Sequence, residues 1–262
     1  MYQLAIFDLD GTLVNSIADL GGTANRLLEQ RGLPTHPLDA YYRFVGNGVH
    51  KLCERCLPAD TPADEVERFF AAFNEDYSRH CLDKTAPYAG IPEVLEQLRS
   101  AGVHIAVASN KTQPFVEKIV KHYFGENGFD QILGSSDSRP KKPSPEIISV
   151  ILENAGMTPE QAVMIGDSNV DIRTAKNAGV HSIGCTWGFR GRDELAEAGA
   201  DDLAEKPEDL LNYANGDRIF LYFSGISGKI EICLTIPSFL DIMGSVTNAG
   251  TVRQERCRDI PA

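Results

Sequence analysis

The chain has 262 residues, 42% of them hydrophobic and 24% charged, an ordinary composition for one large globular domain or two with a sizeable core. Its formal net charge of -12 argues against nucleic acid as a main partner, because a phosphate backbone calls for basic surface, yet a few local groups can still bind a small anion. No apolar run approaches the length of a membrane span, and the first seven residues are too short an apolar stretch for a secretory signal.

The first element expected is a buried strand over Ala5, Ile6 and Phe7. Asp8 then stands at its carboxyl end, where open α/β sheets place their ligands, with Asp10 two residues on. Gly11 lets the chain turn away, and Ser16 reads as the N-cap of a helix through Asp19, Leu20, Ala24, Leu27 and Leu28, ending near Gly32. Two carboxylates this close repel unless a divalent cation sits between them or one keeps a proton. Taken alone, the stretch is equally a polar strand end before a capped helix.

From Thr35 to about Lys84 the pattern contains no strand. Apolar residues recur at helical spacing, first Tyr41 to Cys56, then Val66, Phe69, Phe70, Phe73 and Tyr77, so this stretch reads as a small all-helical insert with its own core. Cys53 and Cys56 form an isolated C-x-x-C without the partners of a zinc site and read as one packed helix face. The six scattered cysteines fit a reducing cytoplasm. Between the insert's helices, Val45-Gly46-Asn47-Gly48-Val49 is either a simple connection or a substrate-facing loop offering backbone N–H groups and Asn47.

After Tyr88 the chain alternates strand and helix, the mark of a doubly wound parallel α/β sheet. Strands are expected at Val103 to Ala108, Gln131 to Leu133, Ala162 to Ile165 and His181 to Cys185, the last clear one. Intervening helices are expected near Glu93 to Ala101, Pro114 to His122, Pro145 to Asn154 and Val170 to Ala178, with two more near Asp193 to Ala198 and Pro207 to Tyr213. Residues from about Asp217 break this rhythm and carry no functional reading, although Ile219 to Phe223 and Ile230 to Ile236 have strand-like composition. The division expected is a core over 1–15 and 85–215, a helical cap over 16–84 and an extension over 216–262.

Polar motifs follow four of the strands: Asp8 and Asp10; Ser109-Asn110-Lys111; Lys141-Lys142-Pro143-Ser144-Pro145; and Gly166-Asp167-Ser168-Asn169-Val170-Asp171. Each alone could be a cap, a turn or a solvated loop. On the carboxyl ends of one parallel sheet they converge in space.

In this order the motifs resemble the haloacid dehalogenase superfamily of phosphotransferases, over about residues 1–213, and the helical insert resembles that superfamily's small cap. Val45-Gly46-Asn47-Gly48, Pro87-Tyr88-Ala89-Gly90-Ile91 and the lysine-proline run are most similar to its phosphoglycolate phosphatase branch. The resemblance implies an Asp8 nucleophile, Asp10 as acid and base, and Mg²⁺ held by Asp8, the Asp10 carbonyl and Asp167. It gives Asp171 the support of the metal's waters or of Lys142, and makes Ser109 with the backbone of Asn110 and Lys111 a phosphate cradle beside Gly11 and Thr12. Lysine directly before Pro-x-Pro selects Lys142 over Lys141 as the residue that orients Asp8. Asp10 separates phosphate hydrolysis from dehalogenation, because dehalogenases of the superfamily lack it.

Arg43, Asn47 and Lys51 of the cap are the candidates to meet a substrate carboxylate, with a solvated helix face as the alternative for the two cations. The expected activity is Mg²⁺-dependent hydrolysis of a small phosphorylated metabolite, 2-phosphoglycolate first, by a cytoplasmic monomer or homodimer with neither nucleic acid nor membrane as partner. Another sugar phosphate or pyrophosphate is the alternative substrate. A non-catalytic binding module is the alternative class, and it gives no reason to keep Asp8, Asp10, Lys142 and Asp167 together.

Overall fold

A computed structural model describes residues 2–136 and 138–214. The elements of the first part are β1 (Leu4–Phe7), β2 (Val14–Asn15), α1 (Ile17–Gln30), α2 (Leu38–Phe44), α3 (Val49–Cys56), α4 (Ala63–His80) and β3 (Ala86–Pro87). Then follow α5 (Ile91–Ser100), β4 (His104–Thr112), α6 (Gln113–Phe124), β5 (Gln131–Ser135), α7 (Glu146–Ala155), β6 (Ala162–Gly166) and α8 (Asn169–Ala178). The last are β7 (His181–Cys185), α9 (Gly191–Glu197), β8 (Asp202–Ala204) and α10 (Leu210–Ala214). The strand-like stretches after residue 218 lie outside the described residues.

Six strands form a parallel sheet in the order β5-β4-β1-β6-β7-β8. Helices cover both faces, so the central strands are apolar nearly throughout rather than alternating. The period of two appears instead in which face each side chain enters. Ala5 and Phe7 join Ile105, Val107, Val163 and Ile165 under α5 and α6, while Leu4 and Ile6 join Ala106, Ala108, Ala162 and Met164 under α7 and α8.

The chain leaves β1 for β4 and β5, then crosses back to β6 on the other side of β1. This reversal opens a crevice at the carboxyl ends of the strands. Register fixes what meets there. Phe7 pairs with Val107 on one side and Ile165 on the other, so Asp8 is level with Ala108 and Gly166.

Helices α1 to α4 pack around a separate apolar core that includes Ile17, Leu20, Tyr41, Leu52, Phe69, Phe73 and Tyr77. Cys53 and Cys56 are buried within it as free thiols, as the packed-face reading expects. Phe115 of α6 also joins this cluster, tying it to the sheet layer.

Two short strands absent from the sequence reading carry the chain out to these helices and back. β2 pairs antiparallel with β3, and Asp19 at the start of α1 locks the return. Its buried carboxylate accepts from Lys84 N, Thr85 N and Thr85 Oγ1 at 2.8–3.0 Å.

Three further details differ from expectation. Ser16 precedes α1, but its hydroxyl donates to Asp10 Oδ1 rather than capping the helix, and the first helical N–H, of Ile17, donates instead to Asn15 Oδ1 at 3.3 Å. β4 continues through Ser109, Asn110 and Lys111, with a register break between Ala108 and Thr112. β8 adds an edge strand after His181–Cys185, three residues long and too short to give a period. No helix among the described residues is long and apolar enough to cross a membrane.

Asp19→Ala would strand two backbone N–H groups at the crossing between the helices and the sheet. Urea unfolding should show a loss of about 3 kcal/mol, the order expected for lost charge-assisted hydrogen bonds with buried donors left unpaired.

Candidate active site

Asp8 leaves the end of β1 with its N–H donating to Ile165 O at 2.9 Å, which holds the residue against β6. The turn that follows is closed by Gly11 N to Val14 O at 2.9 Å and by Leu13 N and Val14 N to Leu9 O at 3.0 Å. Buried Leu9 and Leu13 anchor it from below. Gly11 has φ +93°, and a Cβ there would lie 2.2 Å from Asp167 Oδ2, so both conformation and space require glycine.

Lys142 is the hub. Its buried ammonium donates to Ala108 O at 2.8 Å and Asp171 Oδ1 at 2.7 Å, and lies 2.9 Å from Asp8 Oδ1 as an ion pair. Of the two adjacent lysines, Lys142 is buried at this centre and Lys141 is exposed.

Asn110 fixes the lysine's backbone from both sides. Its Oδ1 accepts from Lys142 N at 2.8 Å, and its Nδ2 donates to Lys142 O at 3.0 Å and to Gly46 O at 3.1 Å. Its amide is therefore committed to placing Lys142 and touching the loop between α2 and α3.

Asp167 follows β6, and Asp171 lies in the first turn of α8. Ser168 Oγ donates to Asp171 Oδ2 at 2.6 Å, so this carboxylate is shared between Ser168 and Lys142. Oxygens of Asp8, Asp167 and Asp171 all lie within 4.8 Å of one another. Burial is the largest influence on Asp8 and raises its pKa from 3.8 to about 6, with Lys142 opposing and Asp171 adding to the rise. Burial, then Asp171 and Asp8, push Asp167 well above its ordinary value. Burial disfavours the Lys142 charge, but Asp171 and Asp8 outweigh it and hold the ammonium protonated. A compact set of buried hard oxygen donors with excess negative charge fits a divalent cation such as Mg²⁺.

The carboxylate of Asp10 is not in this cluster. Lys111 Nζ donates to both its oxygens at 3.0 and 2.9 Å, and Ser16 donates to Oδ1. Lys111 is itself buried and sits 4.8 Å from the centre of the Tyr77 ring of α4. Its ammonium is thus spent on Asp10 and the helical layer.

A cavity of about 520 Å³, counting its open mouth, lies over these groups. Asp8, Asp10, Ser109, Asn110, Lys111 and Asp167 line it from the sheet, and Val45, Gly46, Gly48 and Val49 from the α2–α3 loop. Thr12 is buried beneath it, its hydroxyl without a hydrogen-bond partner.

The three cap candidates lie away from the cavity lining. Arg43 is exposed, Lys51 pairs with Glu54, and Asn47 Oδ1 accepts from Arg55 Nη2 at 2.8 Å; none of the three lines the cavity. The two glycines flanking Asn47 turn the backbone of this loop inward and its side chain away.

The loop after β7 went unread in the sequence. Trp187 Nε1 donates to Thr12 O at 3.1 Å, and Phe189 N donates to Asp167 Oδ2 at 2.7 Å. A Cβ on Gly188 would meet Asp167 Cβ at 2.2 Å and Gly11 O at 2.4 Å. Applying the strand-end rule once more, after His181–Cys185, would have found this fifth loop.

The carboxylate cluster makes stability depend on pH and cation together. Asp8 has a raised pKa in the folded state, so metal-free protein keeps this contribution below about pH 4 and loses it as pH rises through about 6. Thermal unfolding should therefore show millimolar Mg²⁺ raising the midpoint by several degrees at pH 7.5 and scarcely at all at pH 4. Asp167→Asn should lose most of that gain.

Residues 5–185 match the profile of the haloacid dehalogenase-like hydrolase family. A phosphoglycolate phosphatase of Pseudomonas putida KT2440 is 36% identical over 210 residues, covering 77% of each chain. Another, from Psychrobacter arcticus 273-4, is 31% identical over 218 residues, covering 80% of this chain and 95% of the relative. The crystal structure of a predicted phosphoglycolate phosphatase from Haemophilus somnus 129PT superposes with a TM-score of 0.76 at 29% identity, covering 81% of this chain and 97% of that one. The motif order, the parallel sheet and these relatives agree: this chain belongs to the haloacid dehalogenase-like hydrolases, as a phosphoric monoester hydrolase similar to the phosphoglycolate phosphatases.

Proposed function

We propose that the chain hydrolyses 2-phosphoglycolate to glycolate and phosphate, with Mg²⁺ as the divalent ion and Asp8 as the nucleophile. The observation that carries this reading is the buried ammonium of Lys142 between Asp8 and Asp171, with Asp167 in the same cluster. A carboxylate meets an anionic phosphate there only where positive charge is already fixed in place.

Asp8 attacks phosphorus, and the bond to the glycolate oxygen breaks, leaving the phosphoryl group on the carboxylate. Asp10 gives its proton to the departing alkoxide, then takes one from the water that attacks the aspartyl-phosphate, releasing phosphate and restoring Asp8. Both Asp10 oxygens accept hydrogen bonds from Lys111 or Ser16, so each proton transfer requires an exchange of one of these bonds. Lys142 steers Asp8 and neutralises charge that builds on the phosphoryl oxygens, while Ser109 and the backbone after it receive those oxygens. Asp8 and Asp167, with the Asp10 carbonyl and support from Asp171, would hold the Mg²⁺ ion, which would supply positive charge against the repulsion between nucleophile and substrate.

Two bodies fit this chemistry: a core over 1–15 and 85–215, and a helical cap over 16–84 that shields the site from water. The phosphoglycolate assignment draws on the named activity of the relatives and on the small, partly enclosed cavity.

Phosphate release from a panel of phosphoglycolate, sugar phosphates and pyrophosphate with Mg²⁺ should give the highest kcat/KM for phosphoglycolate. A better sugar phosphate or pyrophosphate would move the substrate elsewhere. Asp8→Asn should reduce kcat at least about 10³-fold while the unfolding midpoint stays near that of the parent. Retained turnover in that variant would remove Asp8 from the mechanism.

A further inference from the structure

Arg190, in the loop after β7, lines the cavity, and no expectation from the sequence gave it a role. Its position is set from both sides. The preceding residue, Phe189, donates its N–H to Asp167, which holds the loop against the carboxylate cluster. The Phe189 ring meets Tyr42 of α2 edge-on at 5.5 Å. Arg190 Nη2 then reaches the α2–α3 loop, donating to Val45 O at 2.7 Å. A longer contact to Arg43 O measures 3.5 Å.

One edge of the guanidinium stays open. Nε forms a long ion pair with Glu194 at 3.9 Å, Nη2 is held by the loop carbonyls, and among the described residues Nη1 donates to no group. Lys111, the other cation lining the cavity, gives its ammonium to Asp10. Arg55 grips the same loop from the other side, through Phe44 O at 2.9 Å and Asn47 Oδ1 at 2.8 Å. Burial and then the neighbouring Arg190 charge lower the Arg55 pKa, so two like charges converge on one loop and an anion beside them relieves the repulsion.

We propose that Arg190 is the specificity-determining residue that meets the second anionic group of the substrate, a carboxylate, across the cavity from the phosphate site. A planar guanidinium matches a carboxylate through paired N–H donors. Because Arg190 also holds Val45 O, recognition of that carboxylate strengthens the closure of the α2–α3 loop over the site. The assignment rests on the phosphoglycolate reading and transfers the carboxylate contact from Arg43, Asn47 or Lys51 to the sheet side of the cavity.

The test compares phosphoglycolate with ethyl phosphate, which has the same two carbons and lacks the carboxylate, in the full chain with Mg²⁺. Wild type should prefer phosphoglycolate. Arg190→Gln should raise KM and lower kcat/KM for phosphoglycolate by about 30- to 100-fold and change ethyl phosphate less than about 3-fold. Arg190→Lys should recover part of the loss, because it keeps the charge and loses the fork. Equal losses on both substrates would reduce Arg190 to a latch on the loop and overturn the assignment, as would an undiminished preference in Arg190→Gln. A wild-type protein without preference for phosphoglycolate would instead overturn the substrate reading beneath it, and this assignment with it.

Discussion

One buried ammonium, Lys142, holds together a site that would otherwise repel itself. Oxygens of Asp8, Asp167 and Asp171 lie within 4.8 Å of one another. At an effective dielectric of about 20, each such pair of full charges costs at least about 3.5 kcal/mol. One lysine cannot neutralise three carboxylates, and the raised pKa values of Asp8 and Asp167 express the remainder. The surroundings answer this constraint. Asn110 clamps the lysine's backbone, Ser168 shares Asp171, and glycines at 11 and 188 let two loops approach Asp167 too closely for any side chain. As a set of free acids the arrangement is strained, and a divalent cation among these oxygens would relieve the strain.

The same logic separates the two aspartates of the first loop. Asp8 faces Lys142 and the cluster, whereas Asp10 faces Lys111, Ser16 and the helical layer. They are two residues apart, yet each answers to a different cation from a different strand or loop. The turn after β1 thereby gives two neighbouring carboxylates separate environments, as the proposed division between nucleophile and proton carrier would require.

The helical layer is tied to the sheet at several points that also touch the site. Lys111 lies against Tyr77, Asn110 donates to Gly46 O, and Arg190 donates to Val45 O. The crossing itself is narrow, two short paired strands with Asp19 locking the return. Movement of the helices would alter the cavity's lining while leaving the Lys142 centre intact, because every partner of that ammonium belongs to the sheet layer.

The sequence by itself determined the parallel α/β class, the helical insert and the group of residues at the strand ends. Apolar runs interrupted by polar motifs are local patterns, and strand ends converge by rule once the sheet is parallel. His181–Cys185 and the helix after Ser16 stood where the pattern placed them. Short strands such as β2, β3 and β8 were not legible, because two or three residues carry no period and form only when a distant partner pairs with them. The direction of side chains in the α2–α3 loop was likewise a tertiary matter. Asn47 looked available until Arg55 took its carbonyl oxygen, and Arg190, without a role in the sequence reading, lines the cavity because the β7 loop packs against Asp167. Sequence spacing reports which residues share an element. Which of their donors remain unspent is decided only when all the elements have packed.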